Sequence, residues 1–420
     1  MWFVTVYTPK EHSLETHFNE DRVYTFDGDF KLDGVHKTSW SDLFDQKGTA
    51  AIVVMLEDLV RFNIQVHART PWMHRVILLY VDNVLENPHT VSSKTVFKNH
   101  PEKTLYFDNP FSCAYEYTME DDSQNEIGFL SLCNKILNEG RETPDRTGVG
   151  IISLFSPQIV SYDLSDGKVP CFTTKKVAWK NTIKELLWFI SGSTDSTELE
   201  REGINWWVGN TSRVFLDRRG LTDYEVGELG PMYGWHWRRQ GARYIPQKDR
   251  AQYDEHGTGG FDQLQRLIDN IKAVKNGDHT SSRRLLMTTY IPNELDRAVL
   301  EPCHTLIQFD VDGEYLECVL YQRSGDMFLG VQINILSYSI LTHLIANVCG
   351  LKARRFHHHL GNAHIYKNHI FQMCRQLIRT PSDPPTLTIN HHDNIDDYTI
   401  DDFELHDYNP QSYIRAPMAI

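Results

Sequence analysis

From Ile335 to Val348 the chain reads as one strongly apolar helix, stopped by Gly350. A helix of that character is buried, so other elements must surround it. The flanking text supplies them. Thr305 to Val311 and Tyr315 to Gln322 are strand-like, as is Leu285 to Tyr290. Thr182 to Ile190 predicts a helix with Ile183, Leu186, Leu187 and Ile190 on one face, and Phe261 to Val274 another with Leu264, Leu267, Ile268 and Ile271 together. Ile127 to Leu137 has helical spacing and ends at Asn138-Glu139-Gly140. Strands mixed with long helices around one buried helix predict an α+β domain.

The 420 residues suggest two or three domains. Residues 1–122 mix short β-rich runs (Trp2 to Tyr7, Ala51 to Met55, Arg75 to Val81) with polar loops, and predict a small α/β domain without catalysis. The acidic, aperiodic stretch Glu120 to Glu126 reads as a linker, so the second domain spans 123–420. A formal charge of −14 speaks against non-specific nucleic-acid binding, though not against one local phosphate site. Seven cysteines without a close CxxC pair fit neither a disulfide framework nor a zinc site, and suit a reducing, cytoplasmic compartment. The N-terminus lacks the pattern of a secretory signal. No stretch reaches the ~18 uninterrupted apolar residues of a membrane span. The expectation is therefore no metal, no membrane and no required nucleic acid.

Cys303, in Glu301-Pro302-Cys303-His304, precedes a dense set of polar groups at Tyr321 to Asp326. A free cysteine is most often a small core residue. As a nucleophile it needs a lowered pKa or a neighbouring cation. Arg146, Arg283, Arg284 and Arg323 could supply permanent charge and forked phosphate donors, although each alone is more often a surface or salt-bridging arginine than a ligand. Asn334 offers one amide donor and one acceptor, which match the O4 and N3–H edge of uracil, or else it caps a helix beginning near Ile335. Glu185, as a helical glutamate, would ordinarily face solvent. The run His357-His358-His359 cannot converge on one ion, so it is read as solvated or packing histidine.

Taken together, DRTG (145–148), ELLWFISGST (185–194), ELGPMYGWHWR (228–238), SSRRLLM (281–287), EPCHTLIQF (301–309), YQRSGDMFLGVQIN (321–334), LGNAHIY (360–366) and APMAI (416–420) resemble the thymidylate synthase family over roughly the last 295 residues. The resemblance implies a bent mixed sheet with packed helices, and methylation of dUMP with 5,10-methylenetetrahydrofolate as donor of carbon and hydride. Cys303 would add to the pyrimidine C6, with Glu185, Tyr233, His304 and Asp326 in the catalytic network. Arg146, Arg323 and Ser324 would hold the 5′-phosphate, joined by Arg283 and Arg284 from the other subunit of a homodimer. Gln322, Asn334, His364 and Tyr366 would complete the dUMP site. Trp207, Asn210, Asp326, Leu329, Gly330, Ile333, Met418 and Ala419 would line the folate site.

Several positions depart from the family pattern, among them Tyr290-Ile291 for its Trp-Asn and Glu301 for the Pro before Pro-Cys, and one pair alters the surface beside the folate. The family's Pro-Phe before the asparagine is Gln332-Ile333, its Gly-Asp-Ala-His is Gly361-Asn362-Ala363-His364, and the glutamine before Trp-Arg is His236. They leave room for a dUMP hydroxymethyltransferase, in which water replaces hydride, while Trp207 and the APMAI tail favour hydride. A non-catalytic nucleotide- or RNA-binding descendant is the third reading, against which Cys303 and Glu185 weigh. Residues 1–122 occupy the place of a fused dihydrofolate reductase but lack its signatures; a degenerate reductase and an unrelated interaction module both stay open.

Overall fold

The structure is a computed structural model that describes residues 125–249 and 259–418 in full, the backbone of 250–252, and the backbone of seven strands before residue 116. Two compact units are present. One comprises Met1–Glu120, Cys133–Gly140 and Asn368–Arg379; the other comprises Asp121–Leu132, Arg141–Lys367 and Thr380–Ile420.

In the first unit, β1 (Trp2–Val6), β2 (Val23–Thr25), β3 (His36–Lys37), β4 (Ala50–Val54), β5 (Val76–Tyr80), β6 (Leu105–Asn109) and β7 (Ser112–Tyr115) pair in the order β3-β2-β4-β1-β5-β6-β7. The three β-rich runs expected there overlap β1, β4 and β5. The helical part of the expected α/β domain lies outside the described residues.

The second unit is built on a seven-stranded mixed sheet. Its strands are β8 (Arg141–Thr143), β9 (Ile151–Phe155), β10 (Val160–Asp163), β11 (Leu286–Thr288), β12 (His304–Asp312), β13 (Tyr315–Asp326) and β14 (Lys352–Tyr366). The order is β11-β12-β13-β14-β9-β8, with β10 also paired to β14. Strands β13 and β14 are parallel and all the other pairs are antiparallel. A parallel pair needs a long crossover, and the apolar helix provides it.

The helices α1 (Asn125–Glu139), α2 (Trp179–Ile190), α3 (Gly234–Arg239), α4 (Gln263–Lys275) and α5 (Gly330–Cys349) complete the parts that matter here. Alternation along the strands sends Ile307, Phe309, Leu316, Cys318, Leu320 and Phe356 inward, all buried. They meet α5, whose Ile335, Leu336, Ile340, Leu341, Leu344 and Ile345 are buried too. By length and composition α5 could cross a membrane, but here it is the core helix of the sheet. The opposite face leaves Phe155, Leu306, Val319 and Tyr321 exposed.

Three local expectations are corrected. Asn125 and Glu126 belong to α1 rather than to a linker: the Glu126 carboxylate is buried and accepts the backbone N–H and hydroxyl of both Thr173 and Thr174. Those bonds supply what a buried carboxylate needs. On α2, Leu187 is only half-buried, while Glu185, Trp188 and Phe189 are buried alongside Ile183 and Leu186. Helix α5 begins at Gly330, one turn before the expected start, so Asn334 lies inside it and cannot be its N-cap. The stop at Gly350 is as expected, with φ +62° at the left-handed position that favours glycine.

Candidate active site

Helix α2 directs Glu185 inward, where Trp207 donates its indole N–H to Oε1 at 2.8 Å. Burial pushes the Glu185 carboxyl up to about 7, and the Trp207 bond pulls more weakly the other way. A carboxyl balanced near neutrality can both give and take a proton. The Trp207 ring in turn meets Tyr233 edge-on at 6.1 Å. Tyr233 is buried and also packs on Phe189 at 5.1 Å and His304 at 5.0 Å.

Tyr233 sits at φ 42° and ψ −105°, a conformation that costs a non-glycine residue roughly 1–3 kcal/mol. The neighbouring Gly234 explains how it is held. A side chain there would bring its Cβ within 2.5 Å of the Phe189 carbonyl oxygen, so α3 packs directly against the backbone of α2. The result aims the Tyr233 hydroxyl at the loop before β12, where its oxygen accepts the Cys303 backbone N–H at 3.0 Å.

Cys303 precedes β12 and is half-buried. The Arg323 guanidinium straps its loop, donating to the carbonyls of Pro302 at 2.9 Å and Glu301 at 2.7 Å. The Arg323 backbone N–H donates to the Cys303 carbonyl at 2.9 Å. Burial raises the Cys303 thiol pKa most strongly, and the Arg323 charge is the largest opposing influence; Glu301 raises it further, while Arg146 and the Tyr233 hydroxyl lower it. The thiol thus sits beside the Arg323 guanidinium, whose charge favours the thiolate against the effect of burial. Arg146 rides on a turn fixed by Asp145, whose carboxylate accepts from the backbone N–H of Thr147 at 2.8 Å and of Gly150 at 2.7 Å.

A chain of amides lies beyond the thiol. Gln322, buried on β13, donates to the Ser324 carbonyl at 2.9 Å and to Asn334 Oδ1 at 3.1 Å. His304 also bonds the Asn334 side chain, yet burial dominates and brings the imidazole down to about 4, so His304 is neutral near pH 7. Burial pushes the Tyr366 hydroxyl up to about 12, and the charges of Asp326, Asp145 and Arg146 act on it as well, so it belongs to the same cluster. His364 bonds Asn362 through Nδ1 at 3.0 Å. Asp326 accepts the Phe328 N–H at 3.0 Å, close to the α5 start that carries Leu329, Gly330 and Ile333.

Not every expected residue joins this group. Arg283 and Arg284 are exposed and make no side-chain hydrogen bond or ion pair among the described residues. Asn210 bonds Trp207 only through its backbone N–H. Met418 is exposed, and Ala419 lies outside the described residues. Among the described residues, no cluster of histidine, cysteine or acidic groups could hold a metal ion. The sequence reading missed His358, whose Nε2 lies 3.0 Å from Gln322 Oε1. Period-two alternation would have found it, because Phe356 and Leu360 face inward on the same strand.

A half-buried thiol beside an anchored guanidinium, backed by a buried acid balanced near neutrality, is the equipment of an enzyme that works through group transfer. Comparison with known proteins makes this specific. The profile of the family described as "Thymidylate synthase" matches residues 127–420. Thymidylate synthase of Ascaris suum is 43% identical over 305 residues, covering 71% of this chain and 98% of its own. The Homo sapiens enzyme is 45% identical over 296 residues, or 70% and 91% of the two chains. That of human herpesvirus 8 is 46% identical over 314 residues, or 74% and 89%. The chain belongs to the thymidylate synthase family, and its enzyme class is methyltransferase.

Proposed function

We propose that the protein converts dUMP to dTMP by reductive methylation, with Cys303 as the covalent nucleophile. The Cys303 sulfur bonds to pyrimidine C6, the C5=C6 electron pair moves toward O4, and the thiol proton leaves through the surrounding polar groups. Asn334 donates to O4 and accepts from N3–H. Glu185, at about 7, handles protons around O4 and C5. Elimination of the thiolate after C5 has been alkylated regenerates the enzyme. The pairing of a cation-flanked thiol with that buried acid is the observation that carries the reading.

The cosubstrate, 5,10-methylenetetrahydrofolate, supplies a one-carbon unit and a hydride when bound. The half-buried Trp207, Leu329 and Ile333 offer apolar surface, and Asp326 offers a carboxylate suited to a pterin's N–H groups. Asn210, Gly330, Met418 and Ala419 would complete that site. Arg146, Arg323, Ser324, His364 and Tyr366 would hold phosphate and ribose.

Two features support a homodimer. The outer sheet face exposes Leu306, Val319 and Tyr321 side by side, a surface that a second sheet would cover. Arg283 and Arg284, exposed and without an ion pair among the described residues, would then reach the phosphate of the partner subunit. Residues 123–420 would form this catalytic domain, and residues 1–122 a separate one without catalysis. The six cysteines described are all free, as a reducing cytoplasm would keep them.

The test is one incubation with dUMP and methylenetetrahydrofolate, following nucleotide mass and dihydrofolate absorbance together. Equal dTMP and dihydrofolate are expected. A 5-hydroxymethyl product without dihydrofolate would replace the methylation reading, and no product would remove the catalytic one.

A further inference from the structure

The three consecutive histidines of β14 are separated by strand alternation. His357 and His359 are half-buried, whereas His358 is 3% exposed on the inner face. Its Nε2 lies 3.0 Å from Gln322 Oε1. Both N–H groups of the Gln322 amide are already committed, one to the Ser324 carbonyl and one to Asn334 Oδ1. Oε1 must therefore be the acceptor of this contact, and His358 must hold its proton on Nε2. The ring is suited to one fixed state, since burial and the nearby His304 and His359 bring it down to about 3 and keep it neutral.

We infer that His358 is a positioning residue for base selection, locking Gln322 and through it the amide orientation of Asn334. This rests on the dUMP reading above. With Oδ1 held by the Gln322 donor, Asn334 presents the uracil pattern of an amide donor for O4 and an acceptor for N3–H. Cytosine presents the inverse pattern, so it needs the Asn334 amide turned over. That turn would set the Asn334 amide nitrogen against the Gln322 donor. Gln322 cannot turn to accommodate it, because its oxygen would then face the Ser324 carbonyl and its N–H would face the His358 N–H. Each flip leaves two like groups opposed in a buried place, where unmet polar groups are costly. Discrimination at Asn334 thus draws on a residue two hydrogen bonds away.

The experiment titrates dUMP and dCMP by calorimetry into full-length wild type, His358→Phe and His358→Gln. Phenylalanine keeps an aromatic ring but removes the donor; glutamine returns an N–H near the Nε2 position. The dUMP-over-dCMP affinity ratio should fall about tenfold in His358→Phe and recover in His358→Gln. Equal weakening of both nucleotides, with the ratio unmoved, would mean only a structural role and overturn the inference. Absence of any dUMP preference in wild type would overturn the substrate reading itself. Should His358→Phe fail to fold, nitrogen-15 imidazole spectra of the wild type decide. A neutral Nε2–H ring at His358 is expected, and an Nδ1–H ring would refute the relay.

Discussion

Replacing Glu185 with glutamine should stabilise the protein above neutral pH while removing its activity, and the two effects have one cause. The carboxyl ionises at about 7 in the folded chain against an ordinary 4.5, a gap of about 2.5 units that corresponds to about 3 kcal/mol. At pH below the ordinary value, the group is protonated whether the chain is folded or not, and ionisation costs the fold nothing. As pH rises toward 7 the unfolded chain releases the proton while the folded chain keeps it, so stability drains away. Above the folded value the loss is complete. Glutamine never ionises and keeps the oxygen that accepts the Trp207 indole N–H, so the variant escapes the loss without giving up that bond. Urea denaturation of both proteins, at equal concentration because assembly is linked to folding, should show the variant's advantage growing by about 3 kcal/mol between pH 4.5 and pH 8. Turnover should fall by about 10²–10⁴ across the same range, the usual worth of a general acid or base. A stability difference that stays constant with pH would refute the perturbed carboxyl and the proton-transfer role built on it.

Cys303→Ala should lower turnover by more than about a thousandfold while dUMP binding persists, as calorimetry would detect; substantial remaining dTMP formation would remove the covalent route. Asn334→Asp should move the kcat/KM ratio toward dCMP by about tenfold or more, because a protonated carboxyl can serve the cytosine edge; an unchanged ratio would exclude Asn334 as the base reader. Gly234→Ala places a Cβ 2.5 Å from the Phe189 carbonyl and should cost about 1–3 kcal/mol of stability, read as a lower Tm, together with a fall in kcat as Tyr233 shifts. Val319→Glu puts a charge on the exposed apolar sheet face and should yield a monomer in sedimentation, with dTMP formation lost. A dimer of unchanged stability would show that another surface joins the subunits.

What could be read from the sequence divides along a physical line. Apolar periodicity located α5, α4 and the strands β12 and β13, because burial of one face is a local pattern that survives into the fold. The contiguous motifs around Cys303 and Arg323 were legible as text. Glu185 was harder: its own helix pattern placed Leu187 on the buried face and left the glutamate to solvent. The close approach of α3, permitted by Gly234, the packing of α5 and the indole of Trp207 make that position a dry, bonded pocket. Glu126 failed for the same reason, since its acidic neighbours suggest a linker while Thr173 and Thr174, far along the chain, supply four donors. Ionisable groups are thus misread when their partners are remote, and those partners fix their chemistry. The amide chain extends the point. Alternation alone puts His358 inside, but its value depends on the parallel pairing of β13 with β14, which sets Gln322 opposite Leu360 and brings the ring within reach of Oε1. If base choice depends on that pairing, substitutions at the sheet's inner layer can alter nucleotide preference without touching the nucleotide.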